Sequence, residues 1–310
     1  MKPIHFIINP LSGNGKTLKT WAAARASLAS RRIDFVERVT RRAGEATEIA
    51  RGALESGVER VVAVGGDGTL NEVLNGYLTS SGEPVNRSAA IGLIPSGTGS
   101  DFRKTMGFVD WRDAVTACAG GRTREIDAAR VRFKDAQGES ASRFFINLAS
   151  FGLGGDVAEL VNRWRDRWPL WLGGHARFAA AAVCALNRYR NVAVKITLDG
   201  ESEYAIETNL LIVANGRFAG GGMMLAPHAE LDDGLLDVVL TDGATRLDVI
   251  RELPRIQRGG YLKNPKVTEL RAREVLIDTA APLRIDIDGD MAGSTPAAIV
   301  ALPRALRFLA

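Results

Sequence analysis

AVGGDGTLNEVLNG, Ala63–Gly76, changes its period in the middle. Before it, RVVAV (Arg60–Val64) is a short, nearly unbroken apolar run, the pattern of a strand buried on both faces. After it, apolar residues recur at helical spacing through a helix near Thr69–Leu78. Between them, Gly65-Gly66-Asp67-Gly68-Thr69 makes a turn that lets the backbone approach a ligand closely. A glycine turn at the carboxyl end of a parallel strand is where open α/β sheets place ligands.

The same alternation continues on both sides. Strands at Ile4–Ile8, Asp34–Val39, Arg60–Val64 and Ala90–Ile94 each lead into a helical pattern, the first three near Lys16–Arg31, Gly44–Glu55 and Thr69–Leu78. This predicts a doubly wound, Rossmann-like parallel sheet over residues 1–125, with right-handed crossovers. After Arg124 strand-like runs follow one another: REIDAARVRF, RFFINLA, NVAVKITL, EYAIETNLLIVAN, LLDVVL, KVTELRAREVLID, LRIDID and AIVAL. Asp199-Gly200 marks a hairpin. Two helical patches interrupt, near Gly155–Arg165 and His175–Arg190. Residues 126–310 therefore read as a mainly antiparallel β-sandwich with inserted helices, and the chain as α/β plus β.

Composition sets the class. With 310 residues, 46% apolar and 25% charged, this is a globular chain of two domains or one large one. A formal charge of +4 permits attraction to anionic lipid or nucleotide. The pattern leads us to expect a cytoplasmic protein, peripheral at most to a membrane, with no nucleic-acid partner. Cys118 and Cys184 lie in apolar helical patterns and read as buried free thiols. Oligomeric state is not legible; an exposed edge strand would support a homodimer.

Asp67 carries the chemical argument. A helix N-terminus favours phosphate, yet this turn also holds a carboxylate. Two such charges in contact repel by roughly 4 kcal/mol at an effective dielectric of about 20. A divalent cation between them removes the conflict, so Asp67 points to magnesium–nucleotide chemistry. Glu72 has a plainer explanation: Thr69-x-x-Glu72 has the spacing of a capping box. Two more glycine-rich loops follow strands, NPLSGNGK (Asn9–Lys16) and IPSGTGSDF (Ile94–Phe102), the latter with Ser100 or Asp101 as the expected N-cap. Lys16-Thr17 imitates a P-loop, but Pro10 occupies the position of its first glycine, so the strict motif fails.

NPLSGNGK, GGDGTLNEVLNG and PSGTGSDF, in this order, resemble the diacylglycerol kinase catalytic-domain family. It includes soluble bacterial lipid kinases of the DgkB and YegS type and, more distantly, the sphingosine kinases. LGGHARF, ANGRFAGGGMMLAP, AELDDGLLDVVL and IDIDGD extend the resemblance over nearly the whole chain. It implies transfer of the ATP γ-phosphate to a lipid hydroxyl, with Mg²⁺, in a cleft between the domains. The implied nucleotide residues are Asn9, Pro10, Leu11, Ser12, Gly13, Thr40, Gly66, Asp67, Gly68, Thr69, Leu70, Asn71, Glu72 and Thr98. The implied base, normally the Glu of a D-G-E motif, falls on Asp290, one methylene shorter, in Asp288-Gly289-Asp290. Either the backbone compensates for the lost reach, or Asp67 takes the role, or activity is reduced. Ser100 stands where the family usually has Asn. A separate structural Mg²⁺ is implied at Glu230, Asp233 and the Leu235 carbonyl.

The acceptor side is less defined. Asn162–Gly174 (NRWRDRWPLWLGG) places Trp164, Trp168 and Trp171 among arginines, as suits a bilayer surface or, equally, a helix sealed onto the sheet. Two other functions fit the residues: another GGDGT enzyme such as an NAD kinase, or a non-catalytic nucleotide-binding regulator. An NAD kinase shares the turn but not LNEVLNG or PSGTGSDF, and the regulator's sequence support is Asp290 in place of Glu.

Overall fold

A computed structural model describes residues 2–96, 100–164 and 173–310. The chain divides into two compact units, Met1–Ala128 with Leu302–Ala310, and Ala129–Ala301.

In the first unit, β1 (Ile4–Ile8), α1 (Thr17–Ser30), β2 (Phe35–Val39), α2 (Glu45–Glu55), β3 (Arg60–Gly65), α3 (Asp67–Tyr77), β4 (Ala90–Pro95), α4 (Asp101–Thr105) and α5 (Trp111–Gly120) follow in order. The strands pair in parallel as β4-β3-β1-β2. β3 and β4 are buried almost end to end, which is why their sequences are continuous apolar runs rather than alternating ones. One core cluster packs Ile4, Phe6 and Ile8 against Trp21, Val62, Val64 and Ile94. The Phe6 and Trp21 rings meet at a 45° tilt with centroids 4.7 Å apart. Burying each such side chain is worth about 1.5–3 kcal/mol.

The second unit begins within β5 (Thr123–Lys134). It continues through β6 (Ser140–Phe145), β7 (Leu148–Gly152), α6 (Leu153–Arg163), α7 (Gly173–Ala185), β8 (Val192–Leu198), β9 (Ser202–Thr208), β10 (Leu210–Ala214), β11 (Phe218–Ala219) and β12 (Met223–Met224). Then come β13 (Leu236–Thr241), α8 (Arg246–Ile256), β14 (Val267–Ala272), β15 (Glu274–Thr279), β16 (Arg284–Ile287) and β17 (Asp290–Leu309). Antiparallel pairing runs β14-β13-β10-β7-β16-β17, while β17 also pairs with β15, and β15 with β8 and β9 beyond it. Phe145, Phe151, Ile196, Val213, Val238, Ile277 and Ile285 meet in the core of this sandwich. Asp199 and Gly200 close the β8–β9 hairpin with φ of 52° and 72°, the left-handed turn anticipated from the pair.

Against the expected 1–125 and 126–310, the boundary falls three residues later, and the C-terminal stretch belongs to the first unit. The last residues of β17 return to the first unit, where Phe308 pairs with Ile91 of β4 and Leu309 joins the β-sheet core. Two long strand-like runs also split: Asn209 separates β9 from β10, and Arg273 separates β14 from β15. α8 was not anticipated at all. Cys118 is buried as expected, whereas Cys184 is exposed. Among the described side chains of α7, Arg177, Ala181, Ala182 and Ala185 are buried, while Val183 and Cys184 are exposed.

Candidate functional site

The loops after β1, β3 and β4 leave the carboxyl edge of one parallel sheet, and side chains fasten them to one another. Asn9 Nδ2 donates to Thr69 Oγ1 at 3.2 Å, joining the first loop to the glycine turn. Thr17 and Ser96 hydroxyls lie 2.9 Å apart, joining the first loop to the third. The Asp67 carboxylate accepts from the backbone N–H of Asp101 at 2.8 Å and of Phe102 at 3.1 Å, joining the turn to the third loop. Thr40, at the end of β2, donates its N–H to the Ile8 carbonyl and is buried at the same edge.

Local sequence explains the shape. A Cβ at Gly65 would stand 2.4 Å from Thr69 Oγ1, so glycine alone lets the first turn of α3 fold back over the strand end. In the first loop, Leu11 N–H donates to Asn9 Oδ1, an Asx turn, and Ser12–Gly15 forms a single 3₁₀ turn. Thr17, in the position of a P-loop threonine, is fully buried and donates to the Ser12 carbonyl. Lys16 is exposed.

Several expected site residues stand differently from the sequence reading. α3 starts at Asp67, so Gly66 is its N-cap and Thr69 lies inside the first turn. The Thr69–Glu72 capping box does not form. Glu72 reaches instead to the N–H of Ala46 at the start of α2, 3.1 Å away, where a carboxylate complements the helix dipole. Ser100 is the N-cap of α4 but makes no side-chain cap, because Asp67 satisfies the N–H groups of that helix from another element. Leu70 and Asn71 are fully buried, and the Asn71 side chain accepts from Asn75 Nδ2. Pro10 and Leu11 form the outer wall of the first loop, Leu11 being 80% exposed. Ser12, Gly13, Gly66 and Gly68 contribute backbone at the loop edge. Thr98 lies outside the described residues.

The β16–β17 hairpin carries Asp286, Asp288 and Asp290. Asp288 and Gly289 form its turn with φ of 49° and 91°. Asp288 is nearly buried, and its carboxylate accepts from three consecutive backbone N–H groups, Ile146, Asn147 and Leu148, each at 3.0 Å. Sequence reading missed this role, because the donors lie far away in the chain. Asp290, half-exposed, pairs with Arg143 at 3.1 Å.

Asp286 is buried and accepts from Ser150 Oγ at 3.2 Å. Burial, and then the charges of Asp290 and Asp288, push its carboxyl up to about 8, against the pull of Ser150 and Arg143. The folded state therefore holds this proton more tightly than the unfolded chain, whose aspartates titrate near ~4. Stability from this group is full below that value and is lost as pH rises toward about 8. Asp286→Asn should thus gain about 1–3 kcal/mol relative to the unmutated protein on going from pH 4.5 to pH 8. Urea midpoints at the two pH values check this, and a pH-independent difference contradicts it.

Among the described residues no three His, Cys, Asp or Glu side chains gather to hold a metal ion. At the implied structural site, Glu230 is exposed and Asp233 accepts from the N–H of Leu235 at 3.0 Å. Arg271 supplies the positive charge there, 3.5 Å from Asp233 and 3.4 Å from Asp237. Asp237 is buried and pushed up to about 6, chiefly by desolvation. These residues are organised around a guanidinium and do not fit a resident metal as they stand. At the glycine turn, Asp67 is the carboxylate that would hold a hard cation brought in with a triphosphate, since such an ion takes only one or two carboxylates from the protein.

On the acceptor side, Trp164 packs against the α6–α7 cluster of Leu153, Val157 and Ala181; Trp168 and Trp171 lie outside the described residues. No helix among the described residues is long and apolar enough to cross a membrane.

Comparison with known proteins agrees with these features. Residues 3–131 match the diacylglycerol kinase catalytic domain, and residues 147–310 match the YegS C-terminal NAD kinase beta sandwich-like domain. The diacylglycerol kinase of Mycobacterium tuberculosis is 32% identical over 305 residues, covering 98% of this chain and 93% of its own. That of Bacillus subtilis is 28% identical over 306 residues, covering 98% and 95%. Among solved structures, a putative diacylglycerol kinase from Bacillus anthracis has the same fold, with a TM-score of 0.77 at 23% identity over 99% of this chain and 94% of that one. Full-length similarity, both domain matches and the stitched glycine loops place the chain in the diacylglycerol kinase catalytic-domain family.

Proposed function

We propose that the protein is an ATP-dependent lipid kinase that transfers a γ-phosphate to the hydroxyl of diacylglycerol or a related lipid alcohol. The observation that supports this most is the joining of three glycine-bearing loops by Asn9–Thr69, Thr17–Ser96 and Asp67–Asp101 contacts at one sheet edge. Backbone N–H groups held rigidly at helix starts bind phosphate oxygens without reorganisation. Phosphoryl transfer asks mostly for such positioning and for charge neutralisation. A magnesium ion entering with the nucleotide would supply that neutralisation, with Asp67 as its protein carboxylate. Membership in the family extends the reading to lipid acceptors, since the named relatives are diacylglycerol kinases.

Asp290 is the assigned acceptor of the hydroxyl proton. Its carboxylate is half-exposed and held by Arg143, so it is oriented yet accessible. Asp290→Asn should lower turnover by about 100-fold or more, the usual contribution of a general base, with nucleotide affinity nearly unchanged. Loss of nucleotide affinity with turnover preserved would contradict the assignment.

The function itself is tested by labelled γ-phosphate transfer from ATP, with magnesium, to diacylglycerol, phosphatidylglycerol, a sphingoid base, an isoprenoid alcohol and NAD in parallel. Label in a phosphorylated lipid is the expected result. Label in NADP alone, or in no acceptor, contradicts it.

A further inference from the structure

α8 has two unlike sides. Inward, Val249 packs against the cluster containing Leu186 and Tyr189, and Ile256 packs with Leu225 and Tyr261. Outward, Leu247 is 62% and Ile250 48% exposed, one turn apart. Arg251, Pro254 and Arg258 continue that exposed side at helical spacing and just past the helix end. The two acids of the helix are engaged elsewhere: Asp248 in the capping box with Thr245 and in an ion pair with Lys266, Glu252 with Asn264 and Arg255. The outward residues of α8 itself are therefore aliphatic and cationic, with no carboxylate among them.

Single exposed leucines are ordinary on a protein surface. Two on one helix face, flanked by arginines and cleared of acids, match the surface of an anionic bilayer. The aliphatic groups enter the boundary between headgroups and acyl chains while guanidinium groups meet the phosphates. A second copy of the chain is a poorer occupant, because a two-fold contact through this face would set arginine against arginine. We propose that the outward face of α8 docks the protein on anionic lipid membranes. The choice of a bilayer rests on the lipid-kinase reading, whose acceptor resides in one.

The test uses the full chain and vesicles of phosphatidylcholine, alone or mixed equally with phosphatidylglycerol, without nucleotide. Wild type should sediment with the mixed vesicles, less so at high salt, and little with the neutral ones. The double variants Leu247→Asp/Ile250→Asp and Arg251→Glu/Arg258→Glu should each lower binding to the mixed vesicles by about tenfold or more. Both should keep wild-type thermal unfolding and wild-type phosphorylation of a short-chain, freely dispersed diacylglycerol. Binding unchanged in both variants, or equal binding of wild type to neutral vesicles, overturns the proposal. So does a dimer in sedimentation velocity that the variants dissociate while vesicle binding persists. Variants that lose vesicle binding in a protein that phosphorylates no lipid would uphold the docking face and reject the kinase reading.

Discussion

Asp67→Ala should lower phosphoryl transfer to lipid by about 100-fold or more while the protein remains folded. The carboxylate is asked to do two things. It holds the start of α4 through the N–H groups of Asp101 and Phe102, and it supplies negative charge to the cation that accompanies a triphosphate. The first task has a modest energetic weight. Hydrogen bonds to a charged group are worth about 1.5–3 kcal/mol each when buried, and Asp67 is only partly buried, so a loss of about 1–3 kcal/mol in total is expected. A chain that buries cores in both units withstands that. The second task weighs on the reaction alone. Asp67→Asn separates the two, since it keeps an oxygen for one N–H but not the charge. An asparagine variant as inactive as the alanine one, yet more stable, fits both roles; wild-type turnover in Asp67→Ala rejects the catalytic one.

Asp288→Ala should be among the most destabilising single changes in the second unit. It would leave the N–H groups of Ile146, Asn147 and Leu148 without their acceptor in a buried site. Each unsatisfied donor costs about 1–3 kcal/mol, so the sum is about 3–6 kcal/mol after some relaxation. Alanine also fits poorly at a φ of 49°, where aspartate and asparagine are tolerated. Against a total stability of about 5–15 kcal/mol, this would shift the urea midpoint far downward. Asp288→Asn retains one acceptor and the backbone preference, and should fall between. An alanine variant within about 1 kcal/mol of wild type would show that the triple contact carries little weight.

What could be read from sequence followed from how local each feature is. The parallel sheet and its ligand edge were visible because the strands after His5, Arg60 and Ala89 are apolar runs ending in glycine, asparagine or proline turns. The Asp199-Gly200 hairpin was visible for the same reason. Glu72 was misread because a capping box and a reach to Ala46 of another helix look alike along the chain. The role of Asp288 was hidden, since its three donors precede it by about 140 residues. α8 escaped notice because its inward stripe is short, its outward side is cationic, and Pro254 interrupts the pattern. β17 was longer than its apolar core AIVAL because Gly293, Pro296 and Arg304 break the alternation that normally marks a strand. Arg271 beside Asp233 and Asp237 came from a strand whose partner could not be assigned beforehand.

Hydrogen–deuterium exchange of the full chain, with and without magnesium and a non-hydrolysable ATP analogue, asks most directly whether the triphosphate rests on the turn after β3. Slowed exchange confined mainly to amides 9, 11–13 and 66–72 is the result foreseen, and it should disappear in Asp67→Ala. Protection of some other segment, with those amides exchanging as fast as in the nucleotide-free protein, would contradict the account.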